Sequence, residues 1–109
     1  MERYRDIFDK LIKGLEVIYG TDRVSVVLYG SVAKNTDTDE SDIDIAVLLI
    51  EDDKEKHEKM IDLNIDLELE CGRVLSLLTI DRDEYNKWNM VSPFYKNVRE
   101  QGVVLWKAA

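Results

Sequence analysis

Between residues 3 and 19 the apolar positions Tyr4, Ile7, Phe8, Leu11, Ile12, Leu15 and Ile18 recur at spacings of three and four, so they line one face of a helix. Gly20 follows, a residue suited to the left-handed backbone that ends many helices, and Thr21-Asp22 open a turn. The period then changes. Val24, Val26, Val27, Leu28 and Tyr29 form a β-branched, aliphatic and aromatic run that stops at Gly30-Ser31, predicting a strand over 24–29. Residues 32–41 turn polar, with Lys34, Asn35, Thr36, Asp37, Thr38, Asp39 and Glu40, and predict a surface loop or short helix. Over 42–50 a period of two returns, with Ile43, Ile45, Val47 and Leu49 on one side and Asp42, Asp44, Ala46 and Leu48 on the other. This is a second strand with one face for the core and the other open to chemistry.

Glu51-Asp52-Asp53 turn the chain, and Met60, Ile61, Leu63, Leu67 and Leu69 predict a helix over 53–70 whose apolar face is ragged. Gly72 ends it. Val74, Leu75, Leu77, Leu78 and Ile80 read as a third strand of the continuous, buried kind, and 81–88 as a short helix. Ser92-Pro93 supplies a side-chain acceptor and then a proline at the first helical position, so 94–101 is the last helix. Gly102 closes it, and 103–106 form a short terminal strand. Strands alternating with helices give the fold class: α/β (α+β), a small mixed sheet with helices packed on it. With 109 residues and no repeat, linker or low-complexity tract, residues 1–109 form a single domain.

Hydrophobic residues at 45% and charged residues at 35% are the balance of a folded globular protein. The apolar runs at 24–29 and 43–50 have strand length, too short to cross a bilayer, and no apolar signal-peptide core follows the N-terminus. The expectation is a cytoplasmic protein without a membrane partner. A single cysteine, Cys71, forms no internal disulfide and reads as a small buried residue. The net charge of −8 and scattered basic residues argue against a long nucleic-acid partner and suit a basic protein partner.

The informative segment is Tyr29-Gly30-Ser31, ten intervening residues, then Asp42-Ile43-Asp44-Ile45. Aspartates at i and i+2 of a strand share a side, with Cα atoms roughly 6.5 to 7 Å apart, so their carboxylates can converge on one ion. Ionised carboxylates about 4 Å apart repel by on the order of 4 kcal/mol at an effective dielectric of 20, and no nearby Arg in the sequence relieves them. A divalent cation would, and an all-oxygen set selects hard ions such as Mg²⁺ or Mn²⁺ with substrate phosphates completing the shell. Gly30 lets backbone N–H groups approach a phosphate and the Ser31 hydroxyl adds a donor. The two halves describe a triphosphate site for ATP or another NTP.

This combination resembles the DNA polymerase β nucleotidyltransferase superfamily, and Gly-Ser-Val-Ala-Lys with Ser-Asp-Ile-Asp-Ile looks like its minimal nucleotidyltransferase branch. The ending, from Ser92-Pro93-Phe94-Tyr95 through Trp106, resembles the tail of that branch, so the similarity spans nearly the whole chain. The resemblance implies a polymerase β-like fold, with Gly30 and Ser31 holding the nucleotide β- and γ-phosphates and Asp42 and Asp44 as catalytic metal ligands. It implies transfer of a nucleoside monophosphate, AMP above all, from an NTP to a protein hydroxyl. Minimal members are often encoded beside a HEPN-domain protein, and some are antitoxins that adenylylate a tyrosine of that toxin. A HEPN-domain partner and a homo-oligomer are both compatible with the sequence. The superfamily usually carries a third carboxylate on a later strand, and Ser76 stands where it is expected. Its loss implies slow transfer, a substitute group, or a module that neutralises a HEPN-type partner by binding alone. Asp66, Glu68 and Glu70 are substitutes only if they lie on a strand, and Asp81 reads as a solvated cap.

Other patterns point to no site. The acidic run from Asp37 lacks the glycine at its sixth position and the Glu at its twelfth that a calcium loop needs. His57 lies in a charged helical stretch with no second His or Cys at ligand spacing, so it is expected at the surface and no zinc site is predicted. Trp88 and Trp106 read as core or interface anchors, and Lys34 as an exposed lysine or a phosphate contact.

Overall fold

In the computed structural model, which describes residues 2–108, a 3-10 turn (Glu2–Tyr4) leads into α1 (Arg5–Tyr19), followed by β1 (Val24–Tyr29) and α2 (Gly30–Ala33). Then come β2 (Ile43–Leu49), α3 (Lys54–Cys71), β3 (Leu75–Asp81), α4 (Arg82–Trp88), α5 (Pro93–Gln101) and β4 (Val103–Trp106). The four strands form one mixed sheet in the order β3-β2-β1-β4. β1 runs antiparallel to β2 and β4, whereas β2 and β3 are parallel because α3 carries the chain back across the sheet.

The larger core lies between one sheet face and α1 and α3. Val24, Val26, Leu28, Ile43, Ile45, Val47 and Leu49 meet Leu11 and Leu15 from α1 and Met60 and Leu67 from α3. Gly14 permits the close crossing of the two helices: a Cβ there would lie 2.5 Å from a Leu63 methyl. The smaller core covers the opposite face, where Val27, Ala46, Leu48 and Ile80 pack against Val98 of α5 with Tyr85 and Tyr95 alongside.

Several expectations are corrected. Strand β2 begins at Ile43, so Asp42 precedes the strand instead of opening it. The even-numbered face of β2 is not given wholly to chemistry, since Ala46 and Leu48 are buried and only its leading end is open. Strand β3 is an edge strand and only partly covered, with Leu78 exposed, because a run of apolar residues alone does not reveal how many neighbours a strand has. Gly20 has φ 101° and ψ 141°, positive φ but outside the left-handed helical region. Ser92 occupies the N-cap of α5 without a side-chain cap bond, which leaves Pro93 as the working start signal. The 32–41 stretch is anchored by a short helix that starts earlier, at Gly30, and buries Val32. Among the described residues no helix is long and apolar enough to cross a membrane.

Candidate active site

The end of β1, the first turn of α2 and the start of β2 converge. Strand pairing sets Tyr29 opposite Asp44, so Asp44 emerges beside the point where β1 turns into α2. That turn requires Gly30, whose φ is +72°, a backbone region that disfavours side chains. A Cβ at Gly30 would lie 2.3 Å from Asp44 Oδ2 and 3.1 Å from its Cγ, so the carboxylate rests in the space that the missing side chain leaves. Ser31 follows at half-buried depth and its carbonyl accepts from the Thr36 N–H at 2.9 Å, which folds the next residues back over the turn. Gly30, Ser31 and Asp44 are therefore brought together, with Asp42 at the exposed edge of the same cluster.

The electrostatics match this crowding. Burial, first, and the Asp42 charge, second, push the Asp44 carboxyl above its ordinary pKa. Tyr29 is also raised, mainly by burial and then by the Asp44 charge. Neither the Asp42 nor the Asp44 side chain makes a hydrogen bond or ion pair with a described residue, so among the described residues no cation offsets the charge of the pair.

The residues fit a divalent cation in number and kind: two oxygen donors of like charge, packed against a glycine cradle, with open surface on the Asp42 side. A third carboxylate is not supplied. Parallel pairing sets Ser76 beside Asp44 on β3, and among the described residues no cluster of three or more His, Cys, Asp or Glu side chains is placed to hold a metal. The candidate substitutes do not stand beside the pair on a strand. Asp66, Glu68 and Glu70 lie on helix α3, not on a strand. Glu68 accepts from the Leu75 N–H at 2.9 Å, and Glu70 pairs with Lys10. Asp81 caps α4 by accepting from the Asp83 and Glu84 N–H groups, the role its position suggested. Lys34 is exposed at the end of α2, and His57 is half-buried and bonded to Asp52 at 3.1 Å, so the surface expectation for it holds only in part.

Sequence reasoning missed how Asp42 is held. The 35–42 loop is clamped from outside: Arg73 donates to the carbonyls of Ser41 and Thr38, the latter at 3.1 Å, and also to the Tyr4 hydroxyl. Its guanidinium lies 5.3 Å from the Tyr4 ring centre, and Arg3 pairs with Asp37 at 2.8 Å from the far side. Thr38 and Ser41 close a turn between themselves, the Ser41 N–H donating to the Thr38 carbonyl at 3.1 Å and the Thr38 N–H to the Ser41 hydroxyl at 2.9 Å. Arg73 thus bonds the residue immediately before Asp42. Only its place after the helix-ending Gly72 hinted that it would turn inward. On the other side, Phe94 from α5 stands edge-on to Tyr29, their centroids 5.6 Å apart.

A concavity lined by Leu49, Asp52, Thr79 and Asp81 lies at the opposite end of β2 and β3. It does not join the Gly30–Asp44 cluster.

Comparison with known proteins bears on this geometry. The family model described as polymerase beta, nucleotidyltransferase matches residues 7–108. A protein of Methanocaldococcus jannaschii named "Putative protein adenylyltransferase MJ0604" is 37% identical over 84 residues, 74% of this chain and 76% of that protein. Among solved structures, a toxin-antitoxin crystal structure with AMP-PNP matches with a TM-score of 0.62 at 26% identity, over 92% of this chain and 73% of that one. A tri-AMPylated Shewanella oneidensis HEPN toxin in complex with MNT antitoxin shares the fold, with a TM-score of 0.57 at 23% identity over 94% of this chain and 71% of that one. A family match over nearly the whole chain, joined to a relative 37% identical over 84 residues, leads to one conclusion: this chain belongs to the polymerase β nucleotidyltransferase family.

Proposed function

We propose that this chain is a metal-dependent protein adenylyltransferase, moving AMP from ATP to a hydroxyl of a HEPN-type toxin partner. The observation that carries the reading is the Asp44 carboxylate seated on Gly30, with Asp42 beside it and, among the described residues, no ion-pair partner for either. Gly30 and Ser31 bind the β- and γ-phosphates, the first through backbone N–H groups that the absent side chain leaves accessible, the second through its hydroxyl. Asp42 and Asp44 would hold Mg²⁺ or Mn²⁺, which would neutralise phosphate charge and stabilise the attacking and leaving oxygens. The acceptor oxygen forms a bond to the α-phosphorus, the bond from that phosphorus to the bridging oxygen breaks, and pyrophosphate leaves. The hydroxyl proton passes to solvent, since Ser76 presents no carboxylate at the neighbouring register position. The M. jannaschii relative's name and the AMP-PNP complex support this assignment by similarity.

Calorimetric titration of ATP with and without Mg²⁺, on the wild type and on Asp42→Asn with Asp44→Asn, tests it. Metal-dependent binding that disappears in the double variant is expected, and failure of the wild type to bind sinks the enzyme reading. Ser76 at the third position favours a second reading, in which the fold neutralises its partner by binding and the nucleotide site is vestigial. A cell-protection assay separates the two: the double variant loses antitoxin action if transfer is required and keeps it if binding suffices.

A further inference from the structure

Helix α3 buries Met60 and Leu67 against the sheet and leaves a second apolar stripe uncovered. Ile61, Ile65 and Leu69 are spaced by four residues and therefore stack along one flank, at 44%, 48% and 79% exposure, and Val74 extends the stripe at 54%. A shallow concavity bordered by Ile65, Leu69 and Val74 continues the surface towards the exposed edge of β3. Apolar side chains at regular helical spacing, bare to water over roughly 12 Å of helix, are the usual mark of a surface that meets another protein. Scattered exposed apolar residues would need no such account.

The charge around the stripe says what covers it. Each of its helical residues has an acid three positions earlier, namely Glu58, Asp62 and Asp66, so an acidic ridge runs parallel to the apolar one. All three are exposed, and none pairs with a described basic residue. A second copy of this chain fits poorly. In a two-fold arrangement the acidic ridge would meet its own counterpart, on a chain that already carries a net charge of −8. An anionic membrane is disfavoured by the same charge. We infer that the outer flank of α3 docks an amphipathic helix of a partner protein, with apolar residues at i, i+4 and i+8 and a lysine- or arginine-rich flank.

The placement has a functional consequence. Asp44 projects from the sheet face opposite α3, because it alternates along β2 with Ile43 and Ile45 of the α3-side core. A helix bound on α3 leaves the Gly30–Asp44 cluster open, so binding and chemistry occupy different faces. The inference uses no residue of that cluster and stands or falls apart from the adenylyltransferase reading.

The test uses two labelled helical peptides with one shared apolar face, one flanked by lysines and the other by glutamates, titrated against the full chain by fluorescence anisotropy. The lysine-flanked peptide should bind at least tenfold more tightly. That preference should shrink in Asp62→Asn with Asp66→Asn, and binding should fall at least tenfold in Ile65→Ser with Leu69→Ser. Because these positions are exposed, the variants should keep the wild-type circular dichroism and melting temperature, and hydrogen exchange should show peptide protection over 61–74 and none over 30–44. Equal affinity for the two peptides, no binding at protein concentrations up to about 1 mM, the weak end of the affinity scale, or protection elsewhere would overturn the inference. So would a concentration-dependent dimer in sedimentation that the Ile65→Ser, Leu69→Ser variant abolishes, since the stripe would then belong to a second copy.

Discussion

The two faces of the sheet share the same strands and differ in purpose. On the α1 and α3 side, Leu11, Leu15, Leu28, Ile43 and Ile45 are fully buried and the layer is sealed by two long helices. On the α4 and α5 side the helices are short and the buried set is small, and at its open end the residues that alternate with core positions are Asp44 and, just before the strand, Asp42. A strand that exchanges apolar for acidic residues at one end keeps its anchorage and gains an open acidic end. The well-packed face thus holds the acidic end of the other in place, with Gly30 making room for Asp44.

The comparison breaks first if the two cores contribute equally. Leu11→Ala should cost about 2–5 kcal/mol in urea denaturation, as expected for a leucine truncated in a packed core, while Val98→Ala on the other face should cost nearer ~1.5 kcal/mol from two lost methyl groups. Arg73→Ala sharpens the picture, since it should cost about 1–3 kcal/mol as a charged donor leaves its acceptors unpaired. The same variant should weaken Mn²⁺ binding through the loosened Asp42 loop, with Arg73→Lys recovering part of the affinity. Unchanged metal affinity would show that the clamp serves stability alone.

Gly30→Ala should cost about 1–2 kcal/mol from the left-handed backbone, and nucleotide binding should be lost because the new methyl takes the place of the Asp44 carboxylate. The smallest effect has the opposite sign. Because burial and then Asp42 raise the Asp44 pKa, the native chain holds that proton more tightly than the unfolded chain, and ionised Asp44 opposes folding. Its penalty is present above the raised native value and fades as pH falls through that value towards the ordinary carboxylate range. In chelator, Asp44→Asn should therefore melt slightly higher than wild type at neutral pH, with the gap closing in mild acid. Saturating Mg²⁺ should raise the wild type and leave the variant unmoved.

Much of this architecture is legible in one dimension because helix and strand periods differ. The α1 stripe from Tyr4 to Ile18 and the alternation along β2 leave little room for another assignment, and glycines at 20, 72 and 102 mark the ends of α1, α3 and α5. The helix-capping role of Asp81 was readable from its place before a short helix, whereas the alternation put Asp42 inside β2, which starts only at Ile43. Strand β3 misled because Leu75, Leu77, Leu78 and Ile80 carry no record of how many strands flank them. Arg73 was hardly legible: two of its acceptors are backbone carbonyls more than thirty residues away, which have no residue type, and the third, the Tyr4 hydroxyl, lies farther still along the chain.

By itself the sequence determined most of the elements and the spacing that puts two carboxylates after a Gly-Ser turn, since both depend on local period and residue type, while its motifs carried the resemblance to the family. Only the tertiary structure decided that Asp44 rests in the space Gly30 vacates and that Arg73 grips the loop before Asp42. It also decided that Ser76 faces Asp44 across the β2–β3 pair and that α3 keeps an apolar flank on the side away from the site. These are relations between segments distant along the chain, set by strand order and register and by which helix covers which face. No local pattern encodes them until the sheet has formed.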